Sequence, residues 1–272
     1  MHPKAETIIR DFRGGSSLPV LVETSSGSKC IIKWKGTGEG PLANAVDWTA
    51  LWLARHAGLP VPTPHLVTIT ADLVDEERDP DINDLILRSL GINLGVEFIE
   101  GATSFDRRLA ETTDVPIRER IYAFDALFLN IDRTDLNPNM VFSGNEMYCI
   151  DFASTMAIKM LLNGGAYSEN LFLPLIRRHP FYCKKEDIEI VQPIIDAEAL
   201  EEIVESMPDE WLAETDRTKQ DLLTGLTTIF EDARAILERR LSLLDETPLE
   251  SAEARKARLL ANRKAFESKW PL

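Results

Sequence analysis

The first hundred residues alternate short apolar segments with polar turns, and this pattern predicts β-strands. Val- and Ile-rich segments at 18–23 and 29–34 flank the polar residues 24–28, an arrangement typical of a β-hairpin. Two further segments of the same kind, at 65–70 and 94–99, predict two more strands.

One helix is predicted within this β-rich part. Val46, Ala50 and Leu53 recur at helical spacing within residues 42–57, and Gly58 follows as a stop signal. A small sheet with one prominent helix is therefore expected up to about residue 100.

The remainder of the chain has a mainly helical pattern. Residues 117–129 predict an apolar helix, and residues 139–142 with 147–150 predict a second short hairpin. Further along, charged and apolar faces alternate at helical spacing over 197–206, 218–244 and 251–269. The pattern favours an α+β fold of two lobes, with residues 1–100 as the β-rich N-lobe and residues 101–272 as the helical C-lobe.

The chain is strongly acidic. It has 45 Asp and Glu residues against 30 Lys and Arg residues, which gives a formal net charge of −15. A surface of this charge repels phosphate backbones, so direct nucleic-acid binding is not expected. The uncharged run at 58–71 is shorter than the roughly 20 residues of a membrane span, so no membrane association is expected either. Three widely spaced cysteines form neither a disulfide framework nor a zinc pattern and fit a reducing, cytoplasmic location.

Candidate chemistry is concentrated in the loop that follows the helix at 117–129. Asp132 and Asn137 are five positions apart on this loop, and Asp151 ends the second predicted hairpin. In phosphoryl transfer, one Asp accepts the proton of the attacking hydroxyl, an Asn five positions later holds Mg²⁺, and a second Asp joins the metal to the phosphates. Because Asp and Asn are also common turn residues, the spacing alone leaves a purely structural role open.

A phosphate-transferring site also needs a cation and a phosphate-binding turn. Lys33 lies in the second predicted strand between apolar residues, and a glycine- and serine-rich turn at 14–17 precedes the first strand. A lysine in a strand usually faces solvent. Two interpretations of Lys33 therefore stay open, a phosphate-binding cation and a solvent-exposed side chain. Asp47 on the predicted helix either pairs with Lys33 or interacts favourably with the helix dipole.

Taken in order along the chain, these residues resemble the HipA-like serine/threonine kinases, in particular their short bacterial branch. The resemblance covers about residues 11–211 and is most specific in the catalytic loop. It rests on the segments Gly14-Gly15-Ser16-Ser17, Ile31-Ile32-Lys33-Trp34, Phe124-Asp125-Ala126, Asn130-Ile131-Asp132-Arg133, Asn137-Pro138-Asn139, Ile150-Asp151-Phe152 and Pro208-Asp209-Glu210-Trp211. It implies a bilobal, protein-kinase-like fold that binds ATP and Mg²⁺ between its lobes.

The resemblance also implies roles for individual residues. Asp132 would be the catalytic base, and Asn137 and Asp151 would be the metal ligands. Lys33, paired with Asp47, would contact the α- and β-phosphates. The phosphate-binding turn and the hinge beside adenine would be formed by Gly14, Gly15, Ser16 and Ser17 and by Glu97, Phe98 and Ile99. In family members a serine of this turn can be self-phosphorylated, and Ser16 or Ser17 lies at about that place.

A protein of this family would transfer the γ-phosphate of ATP to a Ser/Thr hydroxyl of a protein. Better-known members act as toxins on a translation protein, such as an aminoacyl-tRNA synthetase, beside an antitoxin. A protein substrate and an antitoxin-like regulator are therefore the implied partners. Three alternatives stay open: a pseudokinase, because Asp47 is one methylene shorter than the usual glutamate; a small-molecule phosphotransferase; and a helical interaction protein that acts through the acidic tail at 197–269.

Overall fold

The computed structural model describes residues 2–12, 18–164, 168–189 and 195–249, and the single positions 251, 253, 256 and 260. In the first part of the chain the strands are Ala5–Asp11 (β1), Val20–Thr24 (β2), Lys29–Lys33 (β3), Pro64–Ile69 (β4) and Gly91–Glu97 (β5). They form one antiparallel sheet in the order β1-β2-β3-β5-β4. The predicted hairpin β2–β3 and the two further predicted strands are confirmed.

This sheet curls until its two edge strands nearly meet. Lys4 forms a parallel bridge with Thr68, whose amide donates to the carbonyl of Pro3 over 2.8 Å. The inner face holds a separate hydrophobic core, which helix α2 (Pro80–Arg88) helps to fill. The sequence pattern predicted neither β1 nor α2, since β1 buries only Ala5 fully and therefore lacks a clear apolar alternation.

Helix α1 spans Pro41–His56, close to its predicted bounds. Val46, Trp48 and Leu51 are buried in the same hydrophobic core as the helices that follow residue 100. The indole of Trp48 donates to the carbonyl of Ile203 over 3.2 Å. Although α1 belongs by sequence to the β-rich part, it packs against the helical part.

After residue 100 the chain is mainly helical. The helices are Arg107–Thr112 (α3), Val115–Phe128 (α4), Met156–Asn163 (α5), Leu173–Ile176 (α6), Ala197–Glu205 (α7), Lys219–Glu231 (α8) and Ala233–Glu246 (α9). The strands Thr103–Ser104 (β6), Met140–Ser143 (β7) and Glu146–Cys149 (β8) form a second antiparallel sheet, which includes the predicted second hairpin. This is the α+β, bilobal arrangement that the sequence predicts, while the lobe boundary at residue 100 stays a prediction. None of the described helices is both long enough and apolar enough to cross a lipid bilayer.

The prediction of one continuous helix over 218–244 is wrong. The chain leaves the helical conformation at Asp232, where φ is −100° and ψ is 7°. The break separates α8 from α9, so that Phe230 on one side and Leu237 on the other both reach the core. The helix predicted at 251–269 lies outside the described residues, apart from single positions.

A short 3₁₀ turn in the helical part, Asp209–Leu212, binds the first sheet. The fully buried indole of Trp211 donates to the carbonyl of Ile92 over 2.9 Å and contacts the Trp48 ring edge-on, with centroids 6.1 Å apart. Glu210 accepts from the Ile92 amide over 2.9 Å and pairs with Lys35 over 2.8 Å. This turn therefore fixes helix α1 and the start of β5 relative to each other.

Replacement of Trp211 by alanine tests this contact. Loss of a fully buried indole should reduce the free energy of unfolding by about 3–5 kcal/mol, measured by urea denaturation. Trp52→Ala is the matched control, because Trp52 is only half-buried and its indole nitrogen has no partner among the described residues. Equal losses in the two variants would contradict a special role for the turn.

Candidate active site

Lys33 joins three separate segments of the chain. It is the last residue of β3, and its ammonium lies 2.6 Å from Asp47 Oδ2 and 2.7 Å from Asp151 Oδ1. Asp47 comes from helix α1, and Asp151 lies just beyond β8. The structure thus brings three of the predicted site residues together, and the Lys33 side chain is only 21% exposed.

One ammonium faces two carboxylates in this cluster. Burial alone would lower the pKa of Lys33, but Asp151 and Asp47 outweigh it and raise that pKa above its ordinary value. The same ammonium lowers the pKa of Asp151. Burial raises the pKa of Asp47, against the attraction of Lys33 and the amide of Phe152, which donates to Asp47 Oδ1 over 2.8 Å. Lys33 and Asp151 are therefore held in their charged forms.

Asp132 lies on the loop that follows helix α4. The side-chain amides of Asn137 and Asn139 both donate to Asp132 Oδ2, over 2.9 and 3.0 Å. Among the described residues, none donates a hydrogen bond to Asp132 Oδ1. This oxygen can therefore accept the proton of an incoming hydroxyl, while the other holds the carboxylate in place.

A buried ionic network that the sequence pattern did not predict lies behind this loop. Asp125 of helix α4 accepts hydrogen bonds from Arg133 Nε over 2.6 Å, from Asn130 Nδ2 over 2.9 Å and from His179 Nε2 over 3.0 Å. Burial alone would raise the pKa of Asp125, but these partners hold it below its ordinary value. The sequence did contain one signal for this network, which is the position of Asp125 within an apolar helix. A carboxylate at such a position is almost never buried without a partner.

The protonation state of His179 follows from its two neighbours. Its Nδ1 accepts the amide of Phe181 over 3.0 Å, so the proton is on Nε2 and is donated to Asp125. Burial lowers the pKa of His179 below 6.5, although Asp125 opposes this shift. The imidazole is therefore a neutral structural donor.

The remaining predicted residues are not brought to these clusters by any described contact. Glu97 ends β5 and accepts the Thr63 amide over 3.0 Å, which lowers its pKa. Phe98 and Ile99 follow it, half-buried, on the way to β6. The predicted phosphate-binding turn lies outside the described residues, and this applies to Gly14, Gly15, Ser16 and Ser17.

The donor set suits Mg²⁺ bound to phosphates. Asn137 is exposed and Asp151 is 43% exposed, so both can offer oxygen to a ligand. Within the described residues there is no group of three or more His, Cys, Asp or Glu side chains that could enclose a metal. Mg²⁺ is usually held by one or two protein oxygen ligands together with waters and substrate phosphate oxygens, and Asn137 and Asp151 are side chains of that kind.

Comparison with known proteins identifies a family and a similar solved structure. A family model described as HipA-like kinase matches residues 5–241. A solved structure of the Helicobacter pylori proinflammatory kinase CtkA is similar with a TM-score of 0.45 and 11% identity, covering 89% of this chain and 96% of that one. No curated protein matches the chain.

The His179–Asp125 hydrogen bond predicts a pH dependence of stability. Below pH 6.5 the unfolded chain binds a proton at His179 that the folded chain does not bind, so stability falls as the pH drops through this range. His179→Gln keeps a donor without the titration. Its unfolding free energy should therefore fall less steeply than that of the wild type, by up to about 1.4 kcal/mol per pH unit, measured by urea denaturation. The exposed residue His56 provides the control His56→Gln, and parallel curves for wild type and His179→Gln would refute the assignment.

Proposed function

Because the chain belongs to the HipA-like kinase family, we propose that it transfers the γ-phosphate of ATP to a Ser/Thr hydroxyl of a protein in a Mg²⁺-dependent reaction. The observation that carries this proposal is the position of Lys33 between Asp47 and Asp151. Protein kinases need two parts in place together. One is a lysine paired with a carboxylate on a helix, and the other is a metal-binding Asp that follows a strand.

Each residue has a defined task in this proposal. Lys33, oriented by Asp47, binds phosphate oxygens, and Asn137 with Asp151 would hold the metal. Mg²⁺, when bound, supplies neutralisation of charge on the phosphates. Asp132 orients the acceptor hydroxyl and takes its proton at Oδ1, since both amide donors occupy Oδ2.

The ion pair favours an active kinase over the pseudokinase alternative. That alternative depends on Asp47 being too short to reach Lys33, whereas the two side chains are 2.6 Å apart. Asp47 also binds the amide of Phe152, so its shorter side chain supports the segment that carries Asp151.

For the acceptor we propose a cytoplasmic protein, with a translation protein and a toxin-type role as the specific form that the family resemblance suggests. The net charge of −15 favours a basic partner surface, whether on the substrate or on an antitoxin-like regulator. The same charge disfavours a direct nucleic-acid ligand.

Asp132→Asn should abolish phosphate transfer and leave nucleotide binding largely intact. Loss of the proton acceptor should lower the rate by at least about 10²-fold, measured as transfer of labelled γ-phosphate to protein. Asp135→Asn is the control on the same loop, because Asp135 pairs with Arg178 outside the proposed site. Persistent transfer in the Asp132 variant would show that the base is misassigned.

Asp151→Asn should remove the Mg²⁺-dependent part of nucleotide binding. At a ligand concentration of about 100 times the dissociation constant, binding adds roughly 2.7 kcal/mol to wild-type stability, which raises the melting temperature by several degrees. The measurement is thermal unfolding with ATP, with and without Mg²⁺. If no shift occurs in either chain, the kinase proposal fails and the helical interaction protein becomes the better hypothesis.

A further inference from the structure

Arg133, which follows the proposed catalytic base, has a completely buried side chain. Removing a guanidinium from water is unfavourable unless its charge and donors are compensated. Arg133 Nε donates to Asp125 Oδ2 over 2.6 Å, and Asp125 is itself held by Asn130 and His179. The planar guanidinium is therefore fixed in direction as well as in position.

The other end of this guanidinium bonds two different segments of backbone. Arg133 Nη1 donates to the carbonyls of Pro138 and Asn139 on the catalytic loop and to that of Ile150, directly before Asp151. The Asn139 carbonyl also accepts the amide of Ile150 over 2.9 Å. One buried side chain thus connects the loop that carries Asn137 with the segment that carries Asp151.

The backbone at these contacts has an unusual conformation. Asn139 and Asp151 are non-glycine residues with positive φ, of 47° and 59°. Such conformations persist only where the surrounding structure holds them. Arg133 binds the carbonyl of Asn139 itself and the carbonyl just before Asp151, and its guanidinium lies over the ring of Phe152 at 4.6 Å.

We propose that Arg133 is a positioning residue that sets the distance between Asn137 and Asp151, the two proposed metal ligands. This inference rests on the proposed function, because the ligands are assigned there. It goes further by stating that metal-dependent binding depends on a buried residue that touches neither metal nor nucleotide.

The test compares nucleotide affinity with and without Mg²⁺. Arg133→Lys keeps the charge but lacks the planar fork needed to reach Asp125 and the carbonyls together. Binding of a non-hydrolysable ATP analogue is measured by calorimetry, once with Mg²⁺ and once with a chelator. We expect the gain in affinity from Mg²⁺ to fall by about 10- to 100-fold, while the affinity without metal stays unchanged.

Arg240→Lys is the matched control. Arg240 is also buried, pairs with Glu169 over 2.6 Å and donates to the carbonyls of Ala126 and Leu127, but it contacts neither metal-ligand segment. The Arg240→Lys variant should be less stable than the wild type, because a buried arginine is lost. It should keep the full gain in nucleotide affinity from Mg²⁺.

A second pair of variants keeps the test decisive if Arg133→Lys fails to fold. His179→Leu removes one donor to Asp125 and should reduce the gain in nucleotide affinity from Mg²⁺. His179→Gln keeps a donor and should show the wild-type gain. An equal gain in wild type, Arg133→Lys and His179→Leu would overturn the positioning role alone. No gain from Mg²⁺ in the wild type would overturn the proposed function and this inference with it.

Discussion

The rest of the structure depends on how one positive charge, that of the Lys33 ammonium group, is balanced by nearby carboxyl groups. Lys33 is largely withdrawn from water, and a partly buried charge is tolerated only with close partners. Those partners, Asp47 and Asp151, come from a helix and from the exit of a distant hairpin. The charge of Lys33 is therefore balanced only where the first sheet, helix α1 and the exit of the second hairpin come together.

Local patterns were sufficient to predict a large part of the molecule. The hairpin β2–β3, helix α1 and the hairpin β7–β8 each have a periodic apolar pattern bounded by turn residues. The structure places Lys33 beside Asp47 and Asp151, while the roles that the family resemblance implies for these residues stay predictions. The one hydrogen bond from Asn137 to Asp132 joins two residues that the sequence places five positions apart on one loop.

The features that the sequence did not predict depend on contacts between distant segments. Strand β1 is held by backbone pairing although most of its side chains are exposed. Asp125 is a carboxylate within an apolar helix, but the sequence does not show that Arg133 and His179 both reach it from other segments. The break at Asp232 separates α8, which packs on α5 and α7, from α9, which packs on α4 and α6, and local periodicity does not encode these contacts.

Helix α1 has a consequence for how the chain can change during evolution. Trp48 and Leu51 precede the predicted lobe boundary but fill the core of the part that follows it. An exchange of the first hundred residues between two relatives would therefore replace half of a packed interface and leave the other half unmatched. We expect Trp48 to covary with Trp211 and with the residues around Ile203 rather than with residues of the first sheet. Residues on the two sides of the predicted lobe boundary would then change together during evolution.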